Sequence, residues 1–67
     1  MAVKKNQVYA ELNGKRRFLR VETVDDDAAI CTVGWRARGN QIAWTHRSLT
    51  YHPSVLTDLT LFRLEQD

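Results

Sequence analysis

The side chains with the clearest chemical potential are basic residues grouped beside predicted turns, with tryptophans nearby. A guanidinium group binds phosphate through several fixed N–H donors, and aromatic rings stack the bases of single-stranded nucleic acid. This combination of residue types predicts contact with nucleic acid. The candidate contact residues are Lys15, Arg16, Arg17, Arg20, Trp35, Arg36, Arg38, Trp44 and Arg47. The competing interpretation is an ordinary solvated surface around two core tryptophans.

Charge is distributed in blocks of alternating sign along the chain. Residues 1–24 carry six basic and two acidic side chains, +4, and residues 25–33 carry only Asp25, Asp26 and Asp27, −3. Residues 34–47 carry three arginines, +3, and residues 48–67 carry one basic and three acidic groups, −2. The net charge of +2 and the acidic run both weaken the nucleic-acid interpretation, because dedicated nucleic-acid binders are more strongly basic.

Other site chemistries have little support in the sequence. Asp25–Asp27 lacks the distal carboxylate that a calcium loop needs, and Cys31, His46 and His52 match no zinc spacing. Cys31 shares a predicted strand face with apolar residues, so we expect a buried, inert thiol. His46 and Ser48 are close in sequence, but no nucleophile turn or phosphate loop accompanies them. We therefore expect no enzyme activity, metal or cofactor.

The 67 residues allow one domain. We expect a flexible N-terminus over 1–5, a single small β domain over 6–65 and a C-terminal end at 66–67. One cysteine permits no intrachain disulfide, which favours a reducing compartment, and the sequence has neither a signal segment nor a membrane span. We expect a cytoplasmic protein that does not enter membranes. Dimer or higher homo-oligomer formation has about even odds, because so small a core gains stability from self-association.

Alternating apolar residues and turn signals predict that the first two-thirds of the chain forms strands. Asn13-Gly14 suits a type I′ hairpin turn, in which both residues adopt positive φ. The second strand alternates imperfectly, since Leu19 and Val21 share one face while Phe18 and Val24 share the other. The predicted strands cover residues 7–12, 17–24, 29–35 and 41–46, separated by turns at 13–14, 25–27 and 38–40.

The last third of the chain has a weaker pattern. We expect a loop over 48–54, because Pro53 is incompatible with a central strand. A short helical turn near 53–58 and a strand over 59–64 should follow. A helix from Ser54 onward is the alternative, since a helical stripe could be formed by Val55, Leu56, Leu59 and Phe62.

Four strands in a meander, a short turn and a closing strand resemble the small five-stranded SH3-like barrels, including Tudor-like versions. The resemblance covers about residues 6–65 and depends on element order and on the Gly34-Trp35-Arg36…Ile42-Ala43-Trp44 hairpin. It implies a mostly β fold, either a closed small barrel or a strongly bent meander sheet. The acidic loop and the tyrosines with which signalling SH3 domains bind proline-rich peptides are not clearly present, so that activity is not implied.

Two functions follow as hypotheses. The first is a non-enzymatic binding module for nucleic acid, or for a nucleic-acid-handling complex, in a bacterial or phage-like cytosol. The second is a small protein–protein interaction adaptor or inhibitor, which could form a homo-oligomer. In that case the separated charges would steer docking, and exposed aromatic residues would dominate the contact.

Overall fold

Five antiparallel strands form one sheet in the computed structural model, which describes residues 2–67. The sheet order is β4-β3-β2-β1-β5, so that the first four strands form a meander and β5 pairs with the outer side of β1. The predicted mostly β fold is confirmed. The elements are β1 (Val8–Glu11), β2 (Phe18–Val24), β3 (Ala29–Arg36), β4 (Ile42–Tyr51), α1 (Pro53–Leu56) and β5 (Phe62–Gln66).

The sheet is open, with β4 and β5 at its two edges. Of the two expected forms, closed barrel and bent meander, the protein has the second. Antiparallel sheets twist, and here the twist brings opposite corners of the sheet together. The ring of Tyr51 at the end of β4 contacts the ring of Phe62 at the start of β5. The ring centroids are 5.5 Å apart in an edge-to-face arrangement. At a coarse level this architecture is consistent with an SH3-like fold.

The main core lies on one face of the sheet. Leu19, Val21 and Cys31 from β2 and β3 are fully buried there, and Leu56 of α1 covers them. Burying side chains of this size contributes about 1.5–3 kcal/mol each. Leu56 shares this cluster with Val3 of the N-terminal segment, so α1 and that segment both contribute to the stability of the sheet.

A second, smaller cluster occupies the opposite face. Val8 and Ala10 of β1 pack with Phe18 of β2, and the half-buried Ile42 and Trp44 of β4 cover them. The alternation of side chains in β1 therefore separates two apolar clusters, with Tyr9 in the main core. Both faces of the central strands are thus partly protected from water.

A β-bulge explains the imperfect alternation in β2. The register of β2 against β3 shifts between Val21 and Thr23, leaving Glu22 as the extra residue. An extra residue changes the face on which the following side chains lie. Val24 consequently packs against the main core together with Val21, although sequence alternation places them on opposite faces.

The predicted type I′ turn at Asn13-Gly14 is wrong. Positive φ occurs at Gly14 (67°) and at Arg16 (55°), and the connection between the strands extends over residues 12–17. Two contacts account for the longer loop. The Asn13 side chain donates to the carbonyl of Thr60 at 3.2 Å, and the Arg17 backbone N–H donates to the Glu11 carboxylate at 2.9 Å.

The predicted loop over 48–54 is wrong in its first half, because β4 continues to Tyr51. Leu49 and Tyr51 lie opposite Cys31 and Ala29 of β3 and pack on the main core. Pro53 follows the strand, at the start of α1, where a missing N–H costs nothing. The helical turn is confirmed at Pro53–Leu56, and the last strand is Phe62–Gln66 rather than 59–64.

The first and last segments of residues 2–67 both join the packed structure. Val3 is buried in the main core, and the Asn6 N–H donates to the Val21 carbonyl at 2.8 Å. At the other end, the buried Gln7 side chain donates to Asp67 at 2.8 Å. Packing therefore begins before residue 6, where the sequence places the start of the domain, and β5 extends past residue 65.

Candidate nucleic-acid interface

The meander brings two basic loops to the same end of the sheet. In an antiparallel meander, alternate connections lie at the same end, so the β1–β2 and β3–β4 connections are neighbours. Phe18 at the start of β2 lies opposite Gly34 near the end of β3, which fixes the two loops side by side. We call this surface the basic end, and it consists of Lys15, Arg16, Arg36 and Arg38.

All four side chains of the basic end are exposed. Within residues 2–67, none of them forms an ion pair with a carboxylate. The guanidinium carbon of Arg36 lies 5.0 Å from the centre of the Phe18 ring, a cation–π contact that orients the side chain and leaves its N–H donors available. The basic end therefore presents positive charge without a direct carboxylate partner, and Glu65 lines the same shallow cavity as Arg36 without forming an ion pair with it.

Arg17 is neutralised within the fold, unlike its neighbours. Its Nε and Nη2 atoms lie 3.1 and 3.0 Å from the two carboxylate oxygens of Glu11, a bidentate ion pair. The hydrogen bonds from Arg17 lower the pKa of Glu11. Both side chains are largely shielded, so Arg17 is a structural residue and contributes little free charge to the surface.

Arg20 has partners on two sides. Its Nε lies 2.7 Å from the Glu22 carboxylate, and its guanidinium carbon lies 4.5 Å from the centre of the Trp44 ring. The Thr32 hydroxyl donates to the same Glu22 oxygen at 2.9 Å. The hydrogen bond from Arg20, followed by that from Thr32, lowers the pKa of Glu22. Arg20 and Glu22 are two residues apart in β2, a spacing that lets strand side chains meet, and Arg20 is directed at the tryptophan rather than at the basic end.

The two tryptophans differ in availability. Trp44 is half-buried, and its ring occupies the space above Gly34, where an added Cβ would lie 2.6 Å from a ring carbon. Together with the Arg20 contact, this arrangement leaves little of the Trp44 ring for a base. Trp35 is 40% exposed and directly precedes Arg36. The structure therefore leaves Trp35 as the ring with more stacking surface.

Arg47 lies apart from the basic end, in the middle of β4. The register of β3 against β4 is irregular between Thr32 and Gly34. The Thr45 hydroxyl, which donates to the Val33 carbonyl at 2.8 Å, accepts the Arg47 backbone N–H at 3.1 Å. These contacts stabilise an irregular edge strand and leave the Arg47 side chain exposed.

The acidic turn, Asp25–Asp27, connects β2 to β3 and therefore lies at the end of the sheet opposite the basic end. The Asp25 carboxylate accepts the backbone N–H groups of Asp27 and Ala28, both at 2.8 Å. These two hydrogen bonds lower the pKa of Asp25. In the sequence, consecutive turns carry charges of opposite sign. Because consecutive turns of an antiparallel meander lie at opposite ends of the sheet, the sequence together with a meander predicts this separation.

Of the remaining reactive side chains, Cys31 and His52 have structural roles. Cys31 is buried, as expected, and burial raises the pKa of its thiol to about 11. His52 precedes α1, and its ring nitrogen accepts the Ser54 N–H at 3.2 Å, whereas His46 is an exposed residue of β4. Over residues 2–67, no three His, Cys, Asp or Glu side chains are grouped so that they could hold a metal ion.

Comparison of the chain with protein-family models, with curated proteins and with solved structures finds no match. None of the helices within residues 2–67 is long and apolar enough to cross a membrane.

Proposed function

We propose that this protein is a non-enzymatic binding module that engages nucleic acid through the basic end. The observation that carries the proposal is the convergence of Lys15, Arg16, Arg36 and Arg38 at one end of the sheet, exposed and, within residues 2–67, without carboxylate partners. Free guanidinium and ammonium groups gain affinity for phosphate by releasing condensed counterions. The acidic turn at the opposite end repels phosphate and so favours one orientation of the bound strand.

Single-stranded nucleic acid is the class of ligand that this surface suits best. Trp35 lies at the same end of β3 as Arg36, on the opposite face of the strand, and its ring is 40% exposed. A base stacked on an aromatic ring contributes about 1–3 kcal/mol. A duplex keeps its bases stacked on each other and would use only the charges. Arg17 and Arg20 are not assigned to the contact, because each is paired with a glutamate.

A salt titration tests this function. Binding of a short fluorescent single-stranded DNA is measured over a series of salt concentrations, with the duplex form as comparison. Four phosphate contacts predict a slope of log K against log salt of about −3, since single strands give about −0.7 per contact. The variant Arg36→Glu/Arg38→Glu should reduce both the affinity and the steepness of that slope.

The matched control is Lys4→Glu/Lys5→Glu, which changes the net charge equally at exposed positions outside the basic end. This control should retain most of the affinity. Equal loss in the two variants would mean that net charge alone attracts the strand. Absence of binding by the wild-type protein at low salt would refute the proposal.

We also infer that the fold is an SH3-like arrangement. The order of elements supports this, because four meander strands are followed by a short helical turn and by a fifth strand that pairs with the first. Fold alone does not define function, since small barrels and sheets of this kind serve many ligands. The nucleic-acid proposal therefore rests on the basic end and not on the architecture.

A protein-interaction role is the second candidate function, and exposed leucines favour it. The Leu59 side chain is 80% exposed and Leu61 is 40% exposed, both in the segment between α1 and β5. Large exposed apolar side chains beside the unpaired outer edge of a strand mark contact surfaces. This surface adjoins the connection that carries Lys15 and Arg16, because the Asn13 side chain donates to the Thr60 carbonyl, so substitution of the leucines rather than of the arginines distinguishes the two functions.

A further inference from the structure

We propose that the exposed edge of β5 is a self-complementary surface that pairs with β5 of a second copy of this chain, in antiparallel orientation about Leu64. The result would be a symmetric dimer in which two sheets join into one. Glu65 of this edge and Arg36 of the basic end line one shallow cavity of about 190 Å³, so the two surfaces adjoin, and the dimer is tested by molecular mass rather than by DNA affinity.

The first support is the direction of the backbone groups in β5. The Leu12 N–H donates to the Leu61 carbonyl at 3.0 Å, and Ala10 lies opposite Arg63 in the same register. Hydrogen-bonded and non-bonded pairs alternate along an antiparallel ladder. Leu61 and Arg63 therefore direct their backbone groups towards β1, and Leu64 directs its N–H and carbonyl to the outer edge. A second strand can accept and donate there.

The second support is the charge pattern around Leu64. With a twofold axis at Leu64, Arg63 of each copy lies opposite Glu65 of the other. Opposite charges directly across an antiparallel pair are stabilising, and like charges are destabilising. In the single chain, Arg63 Nε contacts Glu65 Oε1 at 3.0 Å within the same strand. The same two side chains can thus exchange an intrastrand partner for a cross-strand one without any loss of charge pairing.

The third support is apolar surface beside this edge. A cleft of about 220 Å³ lies next to β5 and is lined by Leu56, Leu59, Phe62 and Leu64, among others. Leu59 remains 80% exposed at its rim. Leu64 is half-buried against the main core, so Leu64 of a second copy would lie beside it and extend that core. A small domain without a disulfide gains stability from such an extension.

The other edge of the sheet does not share these properties. Both edge strands have an irregular register: β4 against β3 between Thr32 and Gly34, and β5 against β1 between Val8 and Tyr9, where Glu65 is the extra residue of β5. Irregular pairing limits the pairing of either edge, so charge is what distinguishes them: β4 carries Arg47 and no acidic residue, whereas β5 carries Arg63 and Glu65 on either side of Leu64. Symmetric pairing at the centre of β4 would also bring two arginines together. These features favour β5 over β4 as the pairing edge.

The experiment exploits the symmetry of the two charged residues. Sedimentation equilibrium of the full chain should give a mass that rises with concentration towards twice the 7.8 kDa of one chain. Arg63→Glu alone and Glu65→Arg alone each place like charges opposite each other in a symmetric pair, so each should remain a monomer. An equimolar mixture of these two variants restores opposite charges across the interface and should regain the dimer mass.

The mixture distinguishes pairing between chains from a change within one chain, because each variant keeps its repulsive intrastrand pair after mixing. Arg47→Glu makes the same charge change on β4 and should dimerise like the wild type. Circular dichroism of every variant confirms that the sheet is retained. A wild-type chain that stays monomeric at the highest soluble concentration would overturn the proposal, and so would variants that associate as the wild type does or a mixture that stays monomeric.

Discussion

The ring of Trp44 occupies the space that a side chain at position 34 would need. A Cβ atom on Gly34 would lie 2.6 Å from one carbon of that ring and 2.7 Å from the Ile42 side chain. The close approach lets Trp44 and Ile42 cover the second apolar cluster, and it places the Trp44 ring where the Arg20 guanidinium stacks at 4.5 Å. The absence of a side chain at Gly34 is therefore a packing requirement.

Gly34→Ala should destabilise the protein by about 1–3 kcal/mol, the usual cost of overpacking, because both the ring and the neighbouring strand must move. Denaturant unfolding followed by tryptophan fluorescence measures the loss. In the double variant Gly34→Ala/Trp44→Ala, the second substitution should cost less than it does in the wild-type background. Additive effects would show that the ring is not what excludes the methyl group.

Gly14→Val should cost about 1 kcal/mol or more, because a β-branched residue resists the positive φ of 67°. No atom lies within 4 Å of the position of an added Cβ, so the cost would come from backbone conformation and not from a clash. The neighbouring exposed Lys15→Val, at a position without positive φ, is the matched control. Equal unfolding free energies for the two variants would contradict this account.

The buried thiol of Cys31 makes stability depend on alkaline pH. Its pKa is raised from 9.0 to about 11 in the folded protein, so the unfolded chain loses the proton first as pH rises. The contribution of the thiol is complete below pH 9, decreases above it and is lost as pH passes through 11. Cys31→Ala should flatten the fall in unfolding free energy over that range, although burial also raises the pKa values of Tyr9 and Tyr51 and leaves a residual slope.

Arg17 and Arg36 should separate stability from binding. Arg17→Gln removes a shielded bidentate ion pair and should lower the unfolding free energy by about 1 kcal/mol with little effect on DNA affinity. Arg36→Gln should lower the DNA affinity with little effect on the unfolding free energy, because the Arg36 guanidinium has no carboxylate partner among residues 2–67. The pKa of Glu11 is lowered by Arg17, so its contribution is present above its usual pKa of 4.5 and is lost as pH falls through the lowered value. Thermal unfolding of the wild type and of Arg17→Gln at pH 7 and pH 3 measures that loss. A DNA affinity reduced equally in Arg17→Gln and Arg36→Gln would contradict the assignment of Arg17 to stability and of Arg36 to binding.

Alternation and turn residues were sufficient to predict the strands and the helical turn at Pro53, because these features are local. Tertiary contacts decided the elements that were wrong. Leu49 and Tyr51 are drawn into β4 by packing opposite β3, and Asn13 is held by the distant Thr60. Neither partner is visible from the local sequence, so both errors have the same physical origin.

The candidate site was predictable in its residue types but not in its membership. A list of basic residues does not say which of them meet a carboxylate, and Arg17 and Arg20 do. The Arg17–Glu11 pair joins β2 to β1 across their connection, and the covering of Trp44 depends on Gly34 across the sheet. These relationships require strand register, which composition and charge cannot provide.

The placement of the acidic turn and the basic end at opposite ends of the strands gives the molecule an electric dipole moment along the strand direction. The field of a charged partner would exert a torque on the protein before any contact forms. One end of the sheet would therefore lead in the encounter. Such pre-orientation acts on the association rate much more than on the lifetime of the complex. A chain of nearly balanced net charge can thus bind with the speed and the salt sensitivity of a far more basic one.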